Sequence, residues 1–355
     1  MTVKQIAELA GVSIGTVDRV LYRRGRVSPE TTAKIEALIA EHNFTPNPIA
    51  RRLKRNRAYR FYALVPQQNQ DSGYWRQVRE GIQGGASEIT SMGVETEVLE
   101  FDRYSPASFH SAAHSILEAK PDGVLFAPIM PSETIQFIRS LEENRIPYVF
   151  FDADIPESNP LSTIGQDSSK GGYLAGRLIH LFAGNITGPV AVLDVHGEDY
   201  HIIRRKDGFL RYAAETGIKT ITKEYFDSSG AQPDEGEMEE FLREHSDLKG
   251  IFVTNSSAHR IATVLKKLGK KKDVIIVGYD LIPENHALLK EGFIDAIISQ
   301  RPATQGRQAL LNLYRNIVLD RLVPAKVDIP LDVYIKENVP SELIEINSNT
   351  DKTDQ

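Results

Sequence analysis

Seven short apolar-rich segments lie between residues 61 and 280, and they limit the choice of fold more than any other feature. Patterns with helical spacing, such as 78–92 and 171–182, separate them. Apolar runs linked by helices are typical of parallel strands that are buried on both faces. The pattern therefore predicts an α/β body with doubly wound parallel sheets. The segments are FYALVP (61–66), ETEVLEF (95–101), GVLFAP (123–128), YVFFD (148–152), VAVLDV (190–195), GIFVTN (250–255) and VIIVGYD (274–280).

A different pattern occupies the first 42 residues. Apolar residues at helical spacing from Val3 to Ala10 stop at Gly11, which suits a tight turn. Ser13 can cap a second helix, and Ser28-Pro29 is typical of the start of a third. Two short helices joined by a glycine turn and backed by a third predict a helix-turn-helix. The alternative is a three-helix cap with no role in DNA binding.

The charge distribution bears on that alternative. Residues 1–60 contain 12 Lys/Arg and 5 Asp/Glu, a net charge of +7, whereas the remaining residues contain 30 and 43, a net charge of −13. A basic head on an acidic body indicates that the head contacts a polyanion and the body does not. The charge therefore favours DNA binding.

The segment from residue 3 to residue 53 resembles the DNA-binding head of the lactose-repressor (LacI/GalR) family, with almost no gaps. The resemblance implies a homodimer that reads a pseudo-palindromic operator. It rests on Ala10-Gly11-Val12-Ser13, Thr16-Val17, Arg19-Val20-Leu21, Val27-Ser28 and Pro46-Asn47.

The same resemblance implies which residues of the second helix meet DNA. Arg19 is expected to pair with guanine, and Gly15 to permit close approach. Ser13 and Thr16 are expected to contact phosphate, although both also suit plain helix capping. Ile14 is expected either to touch a thymine methyl group or to pack inside the head.

Residues 46–60 contain two prolines and six Lys/Arg. From composition alone this is a flexible basic linker. The resemblance implies a hinge helix that folds on DNA, with Leu53 wedged into the minor groove and Ala50 beside it.

The body resembles the two-lobed, type I periplasmic-binding-protein-like fold, and the ribose-type sugar-binding proteins in particular. The resemblance implies an effector site, and residue types that suit a polyhydroxylated ring fill its positions. Taken singly, a strand-end Asp can cap a helix, and an aromatic pair can pack between lobes. One departure is Ala153, where ribose-type proteins often have Arg. The expected site residues are Tyr74, Trp75, Asp152, Arg205, Asn255, Asp280 and Gln300.

Several classes of protein have no support in the sequence. There is no cysteine, which excludes disulfides and thiolate metal sites, and the nine histidines show no metal spacing. Phosphate-loop, GxSxG and HExxH motifs are missing, so neither an enzyme nor a cofactor or metal is expected. No apolar stretch suits a secretion signal or a membrane span, so the expected location is cytoplasmic.

These observations predict the following domain organisation and function. We expect a transcriptional regulator, most simply a repressor, whose operator affinity is controlled by a sugar or polyol between two lobes. The alternative is a sugar-binding or transport-linked protein without DNA function. The expected limits are 1–46 for the helix-turn-helix, 47–57 for the hinge, 58–345 for the effector domain (one lobe of about 58–164 and 301–329, the other of about 165–300 and 330–345) and 346–355 for a disordered tail.

Overall fold

The computed structural model describes residues 1–21, 25–42, 44, 57–195, 197–225, 235–270 and 274–343. The head contains the helices α1 (Val3–Ala10), α2 (Ile14–Leu21) and α3 (Pro29–Glu41). Thr2 and Gln5 form a capping box at the start of α1, and Gly11 ends that helix with φ 71°. The three helices share a small apolar core formed by Ile6, Ala7, Ala10, Val17, Val20 and Ile35.

The first lobe of the body is built on a six-stranded parallel sheet. Its strands are β1 (Tyr59–Pro66), β2 (Val94–Phe101), β3 (Gly123–Phe126), β4 (Tyr148–Phe151), β5 (Ser162–Gly165) and β11 (Lys326–Asp328). They lie in the order β11-β5-β4-β3-β1-β2. The central strands β3 and β4 are buried along their whole length, which explains why they read as continuous apolar runs.

Four helices belong to this lobe. They are α4 (Tyr74–Thr90), α5 (Pro106–Ala119), α6 (Pro131–Glu143) and α12 (Pro302–Ile317). A 3₁₀ turn at Asp71–Gly73 leads into α4. Helices α4 and α12 pack closely because Gly81 leaves no room for a side chain: an added Cβ would lie 1.9 Å from the carbonyl oxygen of Ala303.

The second lobe repeats this architecture. Its strands are β6 (Val190–Asp194), β7 (Thr220–Glu224), β8 (Gly250–Val253), β9 (Ile275–Tyr279), β10 (Ala296–Ser299) and β12 (Asp332–Tyr334), in the order β12-β10-β9-β8-β6-β7. All neighbours are parallel except β10 and β12, which pair antiparallel. The helices are α7 (Ser168–Ala183), α8 (Tyr200–Thr216), α9 (Glu235–Glu244), α10 (Ala258–Leu268) and α11 (Pro283–Glu291).

The chain crosses between the lobes three times. It leaves the first sheet after β5, returns between β10 and α12, and crosses again between β11 and β12. Parallel sheets bind ligands beyond the carboxyl ends of their strands, and the crossings bring those ends of the two sheets to one cleft.

Candidate functional site

The start of α2 presents an exposed face. The Ser13 hydroxyl accepts a hydrogen bond from the Thr16 backbone N–H (3.1 Å) and lies 2.9 Å from the Thr16 hydroxyl, which fixes the first turn. Gly15 and Arg19 are exposed on the same side. Ile14 is 47% exposed, so the expectation that it packs inside the head is wrong. These five residues are therefore available to a partner, and their contacts with DNA stay a prediction.

The seven expected effector residues all line one small cavity between the lobes, which we call the central cavity. Each of them is at least nine-tenths buried. Tyr74, Trp75 and Asp152 come from the first lobe, whereas Arg205, Asn255, Asp280 and Gln300 come from the second lobe or the crossing that leaves it. Residues far apart in the chain therefore meet at one place.

Asp152 and Asp280 occupy corresponding positions in the two lobes. Each follows a central strand directly, with φ 69° and 64° respectively. The backbone N–H of Asp152 donates to the carbonyl of Ile164 (3.0 Å), and that of Asp280 donates to the carbonyl of Ile298 (2.9 Å). Positive φ is unusual outside glycine, Asp being among the side chains that tolerate it best. The backbone thus turns both carboxyl groups out of the strand and into the cavity.

Arg205 is the central cation of the cavity and is 1% exposed. Its guanidinium donates to the carbonyl of Thr254 (2.8 Å) and to Gln300 Oε1 (3.1 Å), and it lies 3.8 Å from the ring centroid of Tyr279. Gln300 Nε2 in turn donates to Asp280 Oδ1 (3.1 Å). Arg205 Nε has no hydrogen-bond partner within the described ranges. A buried N–H group of this kind is a point where a ligand oxygen would be stabilised.

Tyr74 and Trp75 form an edge-to-face pair at the first turn of α4, with ring centroids 5.0 Å apart. The Tyr74 hydroxyl donates to Asp152 Oδ1 (2.7 Å), and Trp75 Nε1 donates to Asp71 Oδ2 (2.6 Å). Hydrogen bonds therefore hold both rings in place, so that their faces can pack on the C–H surface of a sugar.

The cavity also contains an ion-pair network that sequence reasoning missed. Arg103, from the first lobe, pairs with Asp71 and also donates to Asp199 Oδ2 of the second lobe (2.7 Å). The hydroxyl of Ser256 crosses the cleft as well, to the carbonyl of Asp71 (2.9 Å). These residues lie in loops and at helix starts, with no periodic pattern to single them out. The network joins the two lobes across the cleft.

Burial raises the pKa values of three ionisable side chains that line the cavity. It raises the pKa of Asp280 to about 7, because desolvation of the carboxylate outweighs the opposing charge of Arg205. Burial likewise raises the pKa of Asp152, again against Arg205. The pKa of Tyr74 is well above its usual range, because burial and then the charges of Asp152 and Asp280 disfavour the phenolate. The phenol therefore stays a hydrogen-bond donor at neutral pH.

Comparisons with known proteins agree with both parts of the chain. The model of the family described as "Bacterial regulatory proteins, lacI family" matches residues 2–47, and that of the "Periplasmic binding protein domain" matches residues 62–318. The chain belongs to the LacI family of bacterial regulatory proteins. Its head is the DNA-binding domain of a transcriptional regulator, and its body has the fold of the periplasmic binding proteins.

Among the relatives of this LacI-family regulator is the transcriptional repressor PurR of Edwardsiella ictaluri. It is 28% identical over 291 residues, which cover 79% of this chain and 80% of that protein. A crystal structure of a putative LacI transcriptional regulator from Bacteroides fragilis is 29% identical, with a TM-score of 0.74, and covers 80% of this chain and 99% of that one. The glucose-galactose binding protein GanP from Geobacillus stearothermophilus is 26% identical, with a TM-score of 0.70 and the same coverage.

The expected hinge of the LacI-family chain lies almost entirely beyond the described ranges. Ala50 and Leu53 fall among the residues that the structure does not describe, as does the expected tail at 346–355. The roles of both segments, and the limits of the domains, stay predictions. Among the described helices, none is long and apolar enough to cross a membrane.

Proposed function

We propose that this protein is a homodimeric repressor that binds a pseudo-palindromic operator and releases or tightens it when a sugar or polyol enters the central cavity. The observation that carries the proposal is the convergence of seven buried polar and aromatic residues from both lobes on one cavity. A ligand that contacts both lobes stabilises the arrangement in which they are closed.

The chemistry of the cavity supports a polyhydroxylated ring. Asp152 and Asp280 offer acceptors, and the N–H groups of Arg205 offer donors, one of them without a partner in the described part of the chain. Vicinal hydroxyl groups need such paired donors and acceptors, whereas a purely apolar ligand would leave them unsatisfied. The glucose-galactose binding protein GanP shares the fold and is consistent with a ligand of this class.

For an effector to control DNA affinity, movement of the two lobes must change the positions of the DNA-binding heads. Because the chain crosses between the lobes three times, closure would rotate one lobe relative to the other about these crossings. The first lobe begins with β1, directly after the expected hinge at 47–57. A change in lobe angle would therefore alter the spacing of two hinge helices in a dimer, and with it the fit to an operator.

A thermal-shift screen of sugars and polyols is the first experiment, because a bound ligand raises the unfolding temperature. For the ligand it identifies, Asp280→Ala and Arg205→Ala should each weaken binding by roughly ten- to a hundredfold in calorimetry, about 1–3 kcal/mol. Asp207→Ala, an exposed change on the same helix as Arg205, is the matched control and should bind normally. Ligand affinity like wild type in both site variants would contradict the proposed site.

A mobility-shift assay with operator DNA separates the proposal from the alternative of a transport-linked binding protein. The wild-type protein and both site variants should bind operator DNA in the absence of ligand, because the head is a separate domain with its own core. Only the response to ligand should be lost. A protein that binds sugar and no DNA would support the alternative.

A further inference from the structure

A second, larger cavity lies beside the central cavity, and Asp152 lines both of them. We call it the side cavity. Residues after β4 and on β5 and β11 form its first-lobe wall, and the start of α7 together with α8 forms its second-lobe wall. It is therefore a lateral extension of the interlobe cleft.

Small side chains keep this space open. Ala153 and Gly165 face it where the first sheet ends, and Ser168 and Ser169 face it from the other lobe. Ala153 is 5% exposed, so a longer side chain at that position would occupy the cavity and not extend into solvent. The void thus depends on which residues stand at these positions.

Gln166 lines the side cavity and carries a buried acceptor that has no partner among the described residues. Gln166 is 7% exposed, and its Nε2 donates to Gln300 Oε1 (2.8 Å). That bond fixes the orientation of the amide, and Gln166 Oε1 has no hydrogen-bond partner among the residues that the structure describes. Buried polar atoms are almost always hydrogen-bonded in native proteins, so an unmatched acceptor on a cavity wall indicates a missing donor. A ligand hydroxyl would supply it.

The charges of the side cavity favour a neutral ligand. Three carboxylates, Asp152, Asp154 and Asp167, stand against the two cations Arg204 and Lys326. Arg204 is already paired with Asp154 across the mouth of the cavity, and Asp167 caps the positive end of α7 by accepting from the Lys170 N–H. A phosphate or carboxylate would therefore meet a small excess of negative charge. Hydroxyl groups would instead find Thr163 and the two serines.

We propose that the side cavity holds a second hydroxylated ring, so that the effector is a neutral disaccharide or glycoside whose first ring occupies the central cavity. This inference rests on the proposed function, because it assumes that the cleft binds a sugar. Gln166 would then be a specificity-determining residue that recognises the second ring through its free Oε1.

The test compares two panels of probes on the full-length protein by calorimetry. One panel contains D-ribose, D-glucose and D-galactose, and the other contains maltose, cellobiose, lactose and melibiose. At least one disaccharide should bind more than tenfold more tightly than either of its component rings. Thr163→Gln, which narrows the side cavity from β5, should weaken that disaccharide at least tenfold and its component monosaccharides less than twofold. Thr220→Gln makes the same change at an exposed position of β7 and should change neither.

Each outcome decides between the two proposals. Monosaccharides that bind as tightly as disaccharides, or a Thr163→Gln variant that affects both panels equally, would overturn the second ring and leave the sugar effector standing. Binding of no member of either panel would overturn both. If Thr163→Gln fails to fold, Ser169→Gln narrows the same cavity from α7, and the same selective loss of disaccharide binding is expected.

Discussion

At the scale of single residues, Arg19 combines exposure with a position one turn into α2. We predict that Arg19→Ala loses about 1–3 kcal/mol of discrimination between operator and random DNA, because a bidentate pair with guanine would be lost. Binding sites selected from a random pool by each protein provide the measurement, followed by mobility shift on the preferred site. Lys34→Ala, an exposed change on α3, is the control. An equal loss on operator and random DNA would make Arg19 a phosphate contact only.

Asp280 should make the stability of the ligand-free protein depend on pH. Burial raises its pKa from 3.8 to about 7, so the folded protein holds this proton more tightly than the unfolded chain does. Its contribution to stability is therefore complete below pH 3.8 and is lost as the pH rises through about 7. The melting temperature of the wild type should fall more steeply than that of Asp280→Asn between about pH 4 and pH 7, and the two slopes should become equal above that range.

The difference between these two proteins isolates the carboxyl group. Burial also raises the pKa of Asp152 and lowers the pKa of His259. Both residues remain in the variant, so they affect the two proteins alike. If the melting temperatures of wild type and Asp280→Asn fall equally with pH, ionisation of the buried carboxyl group does not destabilise the folded protein. Bound effector should flatten the wild-type curve, because it would supply hydrogen bonds to the ionised form.

At the scale of elements, α7 and α8 touch through their backbones. An added Cβ at Gly172 would lie 1.7 Å from the carbonyl oxygen of Arg205, and one at Gly208 would lie 2.0 Å from that of Ser169. The contact sets the position of α8 and thereby that of the Arg205 guanidinium. We predict that Gly172→Ala lowers the free energy of unfolding by about 1–3 kcal/mol and also weakens effector binding.

Gly84 offers the matched control for this change. It lies within α4, is exposed, and an added Cβ there would have nothing within 4 Å. Gly84→Ala should therefore raise the free energy of unfolding by about 0.5–1 kcal/mol, because alanine has less freedom to lose on folding. Chemical denaturation of the three proteins gives both values. A Gly172→Ala variant as stable as wild type would show that the two helices can separate without penalty.

The strands also show which parts of the fold could be predicted from the sequence. All seven apolar-rich segments contain strands. The strands inside the sheets, such as β3, β4 and β8, are continuously apolar because both of their faces are buried. The strands β7 and β12 are short, lie at sheet edges and are not continuously apolar, so no pattern distinguished them from loops. The same contrast holds at the cavity. Residues at strand ends could be located from the strands, whereas Arg103 and Gln166 depend on contacts across 96 and 134 residues that only the folded chain makes.

At the scale of the whole molecule, the pair between Arg103 and Asp199 joins the two lobes inside a buried cleft. We predict that Asp199→Asn favours the open arrangement, because a neutral amide accepts more weakly from a guanidinium than a carboxylate does. The radius of gyration of the ligand-free variant should exceed that of the wild type in small-angle scattering. Its effector affinity should fall roughly tenfold, about 1.4 kcal/mol, because closure would no longer be favoured before binding.

An exposed ion pair within one lobe is the control. Glu88→Gln removes a carboxylate that pairs with Arg307, both on the surface of the first lobe. Exposed pairs contribute little to stability, and this one does not span the cleft, so both scattering and affinity should match the wild type. Identical scattering from Asp199→Asn and wild type would show that the buried pair does not hold the lobes together.

The three crossings also determine when the chain can become a sensor during its synthesis. The first sheet gains its last strand at residues 326–328 and the second at 332–334, so both remain incomplete until the ribosome has passed these positions. The core of the head uses only residues 3–44 among those described and can assemble hundreds of residues earlier. Because domains fold as they emerge, a nascent regulator would have a formed DNA reader long before it could respond to an effector. A fragment that stops short of residue 326 would lack the last strand of both lobes at once.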